Sequence, residues 1–208
     1  MRTIVYIDAF NFYFGAVKGT PYKWVDFGKL CSLLLPNNQI TGIKYFTARL
    51  RPQPHDPDEP ARQQVYWRAL RTIPNFSIYE GHFLVHAVSM PQAHPPPGSP
   101  RFVEVIKVEE KGSDVNLATQ LLCDGFRNHF DVAVLITGDS DLVGPLRVVK
   151  EEIGKTVGVI NPQSRPCRVL RDHASFYRQS VRPGVLSASQ FPSTMTDGNG
   201  AFHKPPTW

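Results

Sequence analysis

The chain has 208 residues, 41% hydrophobic and 20% charged, with 23 lysines and arginines against 18 aspartates and glutamates. That length suits one good core with an appended arm. No apolar run approaches the ~18 residues needed to span a bilayer, and the start MRTIVYIDAF lacks the apolar stretch and cleavage site of a signal peptide, so a cytoplasmic protein with no membrane association is expected. Cys31, Cys123 and Cys167 are too scattered for a zinc site or a disulfide framework.

In chain order, Thr3–Ile7 is a short β-branched run that reads as a buried strand ending in Asp8, followed by a short helix over Phe10–Lys18. Asp26 is placed to cap a helix over Phe27–Leu35, with Leu30, Leu33 and Leu34 as its buried stripe and Pro36-Asn37-Asn38 as its stop. Thr41–Arg49 reads as a second strand, and the Pro-rich Arg51–Pro60 as a loop. Glu59–Arg71 is a basic helix carrying Arg62, Arg68 and Arg71 beside Val65, Trp67 and Leu70. Phe76–Val88 reads as a strand. Pro91–Pro100 can form neither helix nor sheet interior, so it is expected at the tip of a hairpin arm (about 89–101) returning through Phe102–Ile106. A helix over Asp114–Phe126, a strand over Val132–Ile136, a helix over Leu142–Ile153, a strand over Thr156–Ile160 and a closing helix over Cys167–Tyr177 complete one domain, residues 1–182. Residues 183–208 lose apolar periodicity and are expected to form a flexible tail. The alternation predicts a three-layer α/β domain with a mainly parallel sheet. No glycine-rich nucleotide-binding motif is present.

Val132–Gly154 is the most informative stretch. An apolar strand breaks at Thr137-Gly138 into Asp139 and Asp141, and a helix begins at once. Ligands of open parallel sheets bind at the carboxyl ends of strands, and two acids there suit Mg²⁺ or Mn²⁺, which prefer carboxylate oxygens. Asp8 stands in the same position after the first strand, and Asp114 starts the helix that follows Lys111-Gly112-Ser113. Each aspartate alone is also well explained as a helix N-cap. The pair is harder to explain that way, because one cap needs one oxygen and two acids at one helix start repel each other. Seven scattered histidines form no convincing triad with an acid and a nucleophile.

The ordered set Ile7-Asp8-Ala9-Phe10-Asn11, Lys111-Gly112-Ser113-Asp114-Val115 with Leu117-Ala118, and Thr137-Gly138-Asp139-Ser140-Asp141 resembles the NYN-domain proteins of the PIN-like nuclease superfamily, in particular the bacterial LabA-like group. Gly154–Val159 looks like that family's next strand, Leu170–Phe176 like its closing helix, and the likeness spans roughly residues 1–180. The resemblance implies a three-layer α/β/α PIN-like, Rossmann-like fold and metal-dependent cleavage of RNA. On it, Asp8, Asp114 and Asp139 match the metal-binding acids, with Asp141 an additional or outer acid. Asn11 matches an amide that meets a metal-bound water or a phosphate, and Thr137 and Ser140 supply orienting hydroxyls. The Pro-rich arm and the 51–60 loop depart from the family's core pattern.

Lys111, Arg49, Arg51, Arg68 and Arg71 are candidates for phosphate contact, with Trp67 near enough on its helix to stack an unpaired base of single-stranded RNA. A solvated basic helix with Trp67 in the core explains the last part of that pattern equally well. The leading reading is a metal-dependent ribonuclease. The alternatives are a catalytically silent regulator binding RNA or a protein, and a DNA-directed metal nuclease. A second copy of the chain, or a partner protein masking the basic surface, is compatible with the sequence.

Overall fold

The computed structural model describes residues 1–208. At the centre of its main sheet is β1 (Arg2–Asp8), flanked by β2 (Gln39–Ala48) and β5 (Val132–Ile136). Outside these lie β3 (Phe76–Pro91) and β4 (Phe102–Lys111) on one side, and β6 (Thr156–Asn161) and β7 (Phe176–Gln179) on the other, giving the order β4-β3-β2-β1-β5-β6-β7. All pairings are parallel except β3 with β4. Helices cover both faces, so β1 and β5 are apolar almost throughout, as strands of a doubly covered parallel sheet must be. This is the α/β, PIN-like architecture expected.

Alternation along the strands separates two cores. Val5, Ile7, Ile43, Tyr45, Val134 and Ile136 face one layer, built by α1 (Ala9–Phe12, continued as a wider turn over Tyr13–Val17), α2 (Phe27–Leu34) and α3 (Glu59–Leu70). Tyr6, Phe46, Ala133 and Leu135 face the other, built by α4 (Ser113–Phe126), α5 (Val143–Arg147, continued through Val148–Glu152) and α6 (Arg168–His173). Asp26 caps α2 as expected, accepting from the Lys29 amide at 3.1 Å. No helix is long and apolar enough to cross a membrane.

The arm is longer than the sequence suggests. β3 pairs with β2 over Phe76–Gly81, then runs on against β4 from His82↔Lys111 to Pro91↔Phe102, with the prolines at the tip.

Two regions differ from expectation. The stretch read as one helix over Cys167–Tyr177 is α6 followed by edge strand β7. Ser175 ends the helix by donating its amide to the Val157 carbonyl at 2.7 Å, and the Phe176 ring then covers Gly158, where a Cβ would lie 1.9 Å from it. Residues 183–208, expected as a flexible tail, form α7 (Pro183–Ala188) and a hairpin of β8 (Thr194–Asp197) and β9 (Gly200–His203). Leu186, Phe191 and Phe202 are buried in the α2–α3 layer, and three widely spaced anchors of this kind leave no periodic pattern to read.

Candidate active site

Parallel register brings the first acids together. Ile7 pairs with Ile136, so the next residues, Asp8 and Thr137, leave the sheet side by side. The Thr137 hydroxyl donates to Asp8 Oδ2 at 3.0 Å and accepts from the Asp139 amide at 3.0 Å. Asp8 Oδ1 accepts from the Asn11 amide at 3.0 Å, capping α1. Asp139 Oδ1 accepts from the Asp141 amide at 2.9 Å, capping the short 3₁₀ turn Ser140–Leu142. Both aspartates therefore do serve as caps, and one oxygen of Asp139 remains uncommitted.

Asn11 is held at the same place. Its Oδ1 accepts from the Gly138 amide at 3.1 Å and from Gln163 Nε2 at 3.0 Å, which leaves its NH₂ to face the Asp8 carboxylate. Gly138 permits this approach: a Cβ there would lie 2.6 Å from Asn161 Oδ1 and 3.2 Å from Asn11 Oδ1. Gln163 is fixed in turn, its amide donating to Asn161 Oδ1 at 2.8 Å. Sequence reading passed over Asn161 and Gln163. Their signal is position, since they follow β6 as Asp8 follows β1.

Asp114 comes from the α4 layer. Gly112, at φ 98°, turns the chain from β4 into α4 in a conformation that favours glycine. Glu110 caps the new helix, accepting from the Ser113 amide at 3.1 Å and hydroxyl at 2.7 Å. Gly81 makes room, because a Cβ there would lie 2.5 Å from Glu110 Oε1. The half-buried Asp114 carboxyl is pushed up to about 6, first by burial, then by the negative charges of Asp8, Asp139, Glu110 and Asp141. Burial likewise raises Asp8, with Asp139 adding to it, against the lowering effect of the Asn11 and Thr137 donors. Glu110 is a fifth acid that sequence reading missed.

None of these five carboxylates forms an ion pair with a lysine, arginine or histidine. A group of acids that raises the proton affinity of Asp8 and Asp114 and lacks a cationic partner has the donor chemistry of a hard divalent cation site. The donors are gathered loosely: no three acid, histidine or cysteine side chains stand at metal-ligand spacing.

The predicted basic contacts divide. Lys111 is exposed beside α4's first turn, with Glu109 as a partner at 3.3 Å. Arg49 and Arg51 follow β2 on the same carboxyl edge as Asp8. Arg49 stays largely exposed, reaching Glu80 at 3.4 Å. Ser140 is exposed beside Asp139. Arg68 and Arg71 lie elsewhere, because α3 begins at the carboxyl end of β2 and returns to the amino end of β3. Arg68 makes two hydrogen bonds of 2.7 Å to Asp197 and stacks on Phe202 at 4.3 Å, anchoring the β8–β9 hairpin. Arg71 lies over the Trp67 ring, and Trp67 is buried in the core.

On the opposite face of β1 and β2 is a cavity of about 260 Å³ with nine aromatic side chains in its wall, Phe10, Tyr45, Trp67 and Trp208 among them.

This geometry, acids at the carboxyl edge of a parallel α/β sheet, defines a PIN-like nuclease fold. The chain belongs to the NYN domain family, whose model matches residues 2–179. A Pseudomonas putida (strain DSM 28022 / S16) protein named 6-hydroxy-3-succinoylpyridine 3-monooxygenase HspA is 33% identical over 236 aligned positions, which cover all of this chain and 75% of that protein. A protein of unknown function from Vibrio parahaemolyticus RIMD 2210633 shares the fold with a TM-score of 0.56 at 15% identity, over 86% of this chain and 91% of that one.

Proposed function

We propose that this protein is a metal-dependent nuclease acting on single-stranded RNA. One observation carries the reading: five carboxylates, unpaired by any cation of the protein, lie around the carboxyl edge of the sheet in a chain of the NYN domain family. Asp8, Asp114 and Asp139 would hold Mg²⁺ or Mn²⁺, with Asp141 as an outer acid. When bound, such an ion supplies Lewis-acid charge and lowers the pKa of water.

The chain's own groups do the positioning. Thr137 fixes Asp8 and the Asp139 backbone together. Asn11, clamped through its oxygen by Gly138 and Gln163, holds its NH₂ beside the Asp8 carboxylate, where it would orient that acid and a neighbouring water or phosphate oxygen. Ser140 offers a hydroxyl, and Lys111, Arg49 and Arg51 meet flanking phosphates that the acids would otherwise repel. The test is cleavage of matched RNA and DNA oligonucleotides with Mn²⁺, Mg²⁺ or EDTA. Equal cleavage of both sugars leaves a metal nuclease without RNA preference. Binding without cleavage under every metal gives the regulator reading.

A second reading rests on the Pseudomonas putida relative and the aromatic cavity together: hydroxylation of a small heteroaromatic compound. Incubating the protein with 6-hydroxy-3-succinoylpyridine, oxygen and a two-electron reductant, then looking for hydroxylated product, tests it.

A further inference from the structure

The cavity across the sheet from the acids has a particular polar pattern. Its wall is mostly rings, but Tyr45 and Thr47, 8% and 2% exposed, line it side by side on β2. Neither hydroxyl has a hydrogen-bond partner in the protein, unlike neighbouring Tyr66, whose hydroxyl donates to the Val25 carbonyl at 2.9 Å, and Gln63, which is tied to Leu50 and Ala48. Arg62, also in the wall, is paired with Asp56 through its NH₂ end, while its Nε–H is occluded and without an acceptor. The Tyr45 and Thr47 hydroxyls are open to the cavity and have no protein partner, so both are left to meet a polar atom of a guest, whereas the occluded Arg62 Nε–H is out of a guest's reach. Burial, followed by the charge of Asp8, raises the Tyr45 pKa and keeps that hydroxyl a donor.

Size and charge narrow the ligand. An apolar cavity of ~150 Å³ accepts benzene, so about 260 Å³ accommodates one or two fused rings. Lys23 and Arg62 are balanced by Asp56 and Glu59 in the lining, which favours a neutral guest.

We propose that this cavity is a binding site for a small, neutral, planar heteroaromatic molecule carrying a carbonyl or ring-nitrogen acceptor, received by the Tyr45 and Thr47 hydroxyls and stacked among Phe10, Trp67 and Trp208. The inference rests on the cavity alone and holds under either reading of the chemistry.

The full chain is titrated with 2-quinolone, and with naphthalene as the ring pair lacking an acceptor, following tryptophan fluorescence and calorimetry, since Trp67 and Trp208 line the wall. Saturable one-to-one binding of 2-quinolone is expected, with naphthalene about tenfold weaker or more. Tyr45→Phe and Thr47→Val should each weaken 2-quinolone about three- to tenfold, the range for one hydrogen bond, and leave naphthalene unchanged. Neither variant removes a partner from another group, so folding is retained. No saturation by 2-quinolone, equal affinity for the two rings, or indifference to both variants overturns the proposal. Stoichiometric displacement of 2-quinolone by oligouridine also overturns it, in favour of a base pocket. Metal-dependent cleavage is scored separately on the same proteins, so failure of the nuclease reading does not bear on this result.

Discussion

On one face of β1 and β2, at their carboxyl ends, carboxylates gather without cationic partners; on the other, rings enclose a cavity onto which two unpartnered hydroxyls open. The period of two sends sequence neighbours to these opposite environments. Tyr45 and Thr47 turn to the cavity while Phe46 packs in the other core. Asp8 joins the acids, and Ala9 and Phe10 line the cavity. The acid side carries mutual repulsion that no cation of the protein offsets, whereas the cavity side is balanced in charge. The first should therefore respond to metal and pH, and the second to neutral ligands.

The sharpest break between the two faces is Asp114→Asn or Asp139→Asn. Each should lower metal-dependent cleavage by more than the roughly 10–100-fold typical of residues that merely support a ligand, while 2-quinolone binding stays unchanged. Each should also leave the metal-free protein as stable or more so, because a repelling charge is removed. Thermal melts with and without Mn²⁺ check this. If metal raises the melting temperature equally in wild type and Asp139→Asn, Asp139 is not a ligand.

A smaller effect separates the rim from the centre. Arg49→Ala and Arg51→Ala should each reduce the log–log salt slope of single-stranded RNA binding by about 0.7, and leave metal affinity alone. Arg68→Ala should not change that slope, since its guanidinium is committed to Asp197. Its effect should instead be a melting temperature lower by a few degrees as the β8–β9 hairpin loosens. An unchanged slope for all three would show that RNA approaches from another side.

The pH response is subtler. Asp114 has a folded-state pKa raised to about 6 from an ordinary value near 4. Between these values the folded state binds more protons than the unfolded one, so metal-free stability should fall as pH rises through that window and level off above it. Asp114→Asn should reduce the slope, leaving the part that Asp8, also raised by burial, contributes, and saturating Mn²⁺ should flatten it. Melts from pH 4 to 7 measure it, and a slope unchanged by Asp114→Asn would have another origin.

Much of the acid edge was legible because a parallel sheet converts a linear rule into a place. A buried strand followed by Asp and a helix start puts its carboxylate at the carboxyl edge, as with Asp8 and Asp139. Asp114 lacked a parallel strand before it, and was readable through its family motif. Glu110, Asn161 and Gln163 went unseen because their contributions are contacts with residues distant in sequence. Glu110, near the end of β4, accepts from the first turn of α4 but reaches the site only through the fold, and Gln163 clamps Asn11 across the sheet.

Hydrophobic period, turn chemistry and capping, all local in the chain, dictate the alternation of strands and helices, the two covered faces, the Pro-tipped arm and the acids at strand ends. Tertiary structure alone decided the rest. The direction of α3 across the sheet took Arg68 and Arg71 away from the acids. Four residues, Phe176–Gln179, became a strand because Gly158 left room for a ring beside β6. Phe191 and Phe202 turned an aperiodic terminal segment into a packed one. The cavity between β2, α1 and α3 exists only where non-local side chains fail to fill the space between layers, and no periodicity in a single segment can express that.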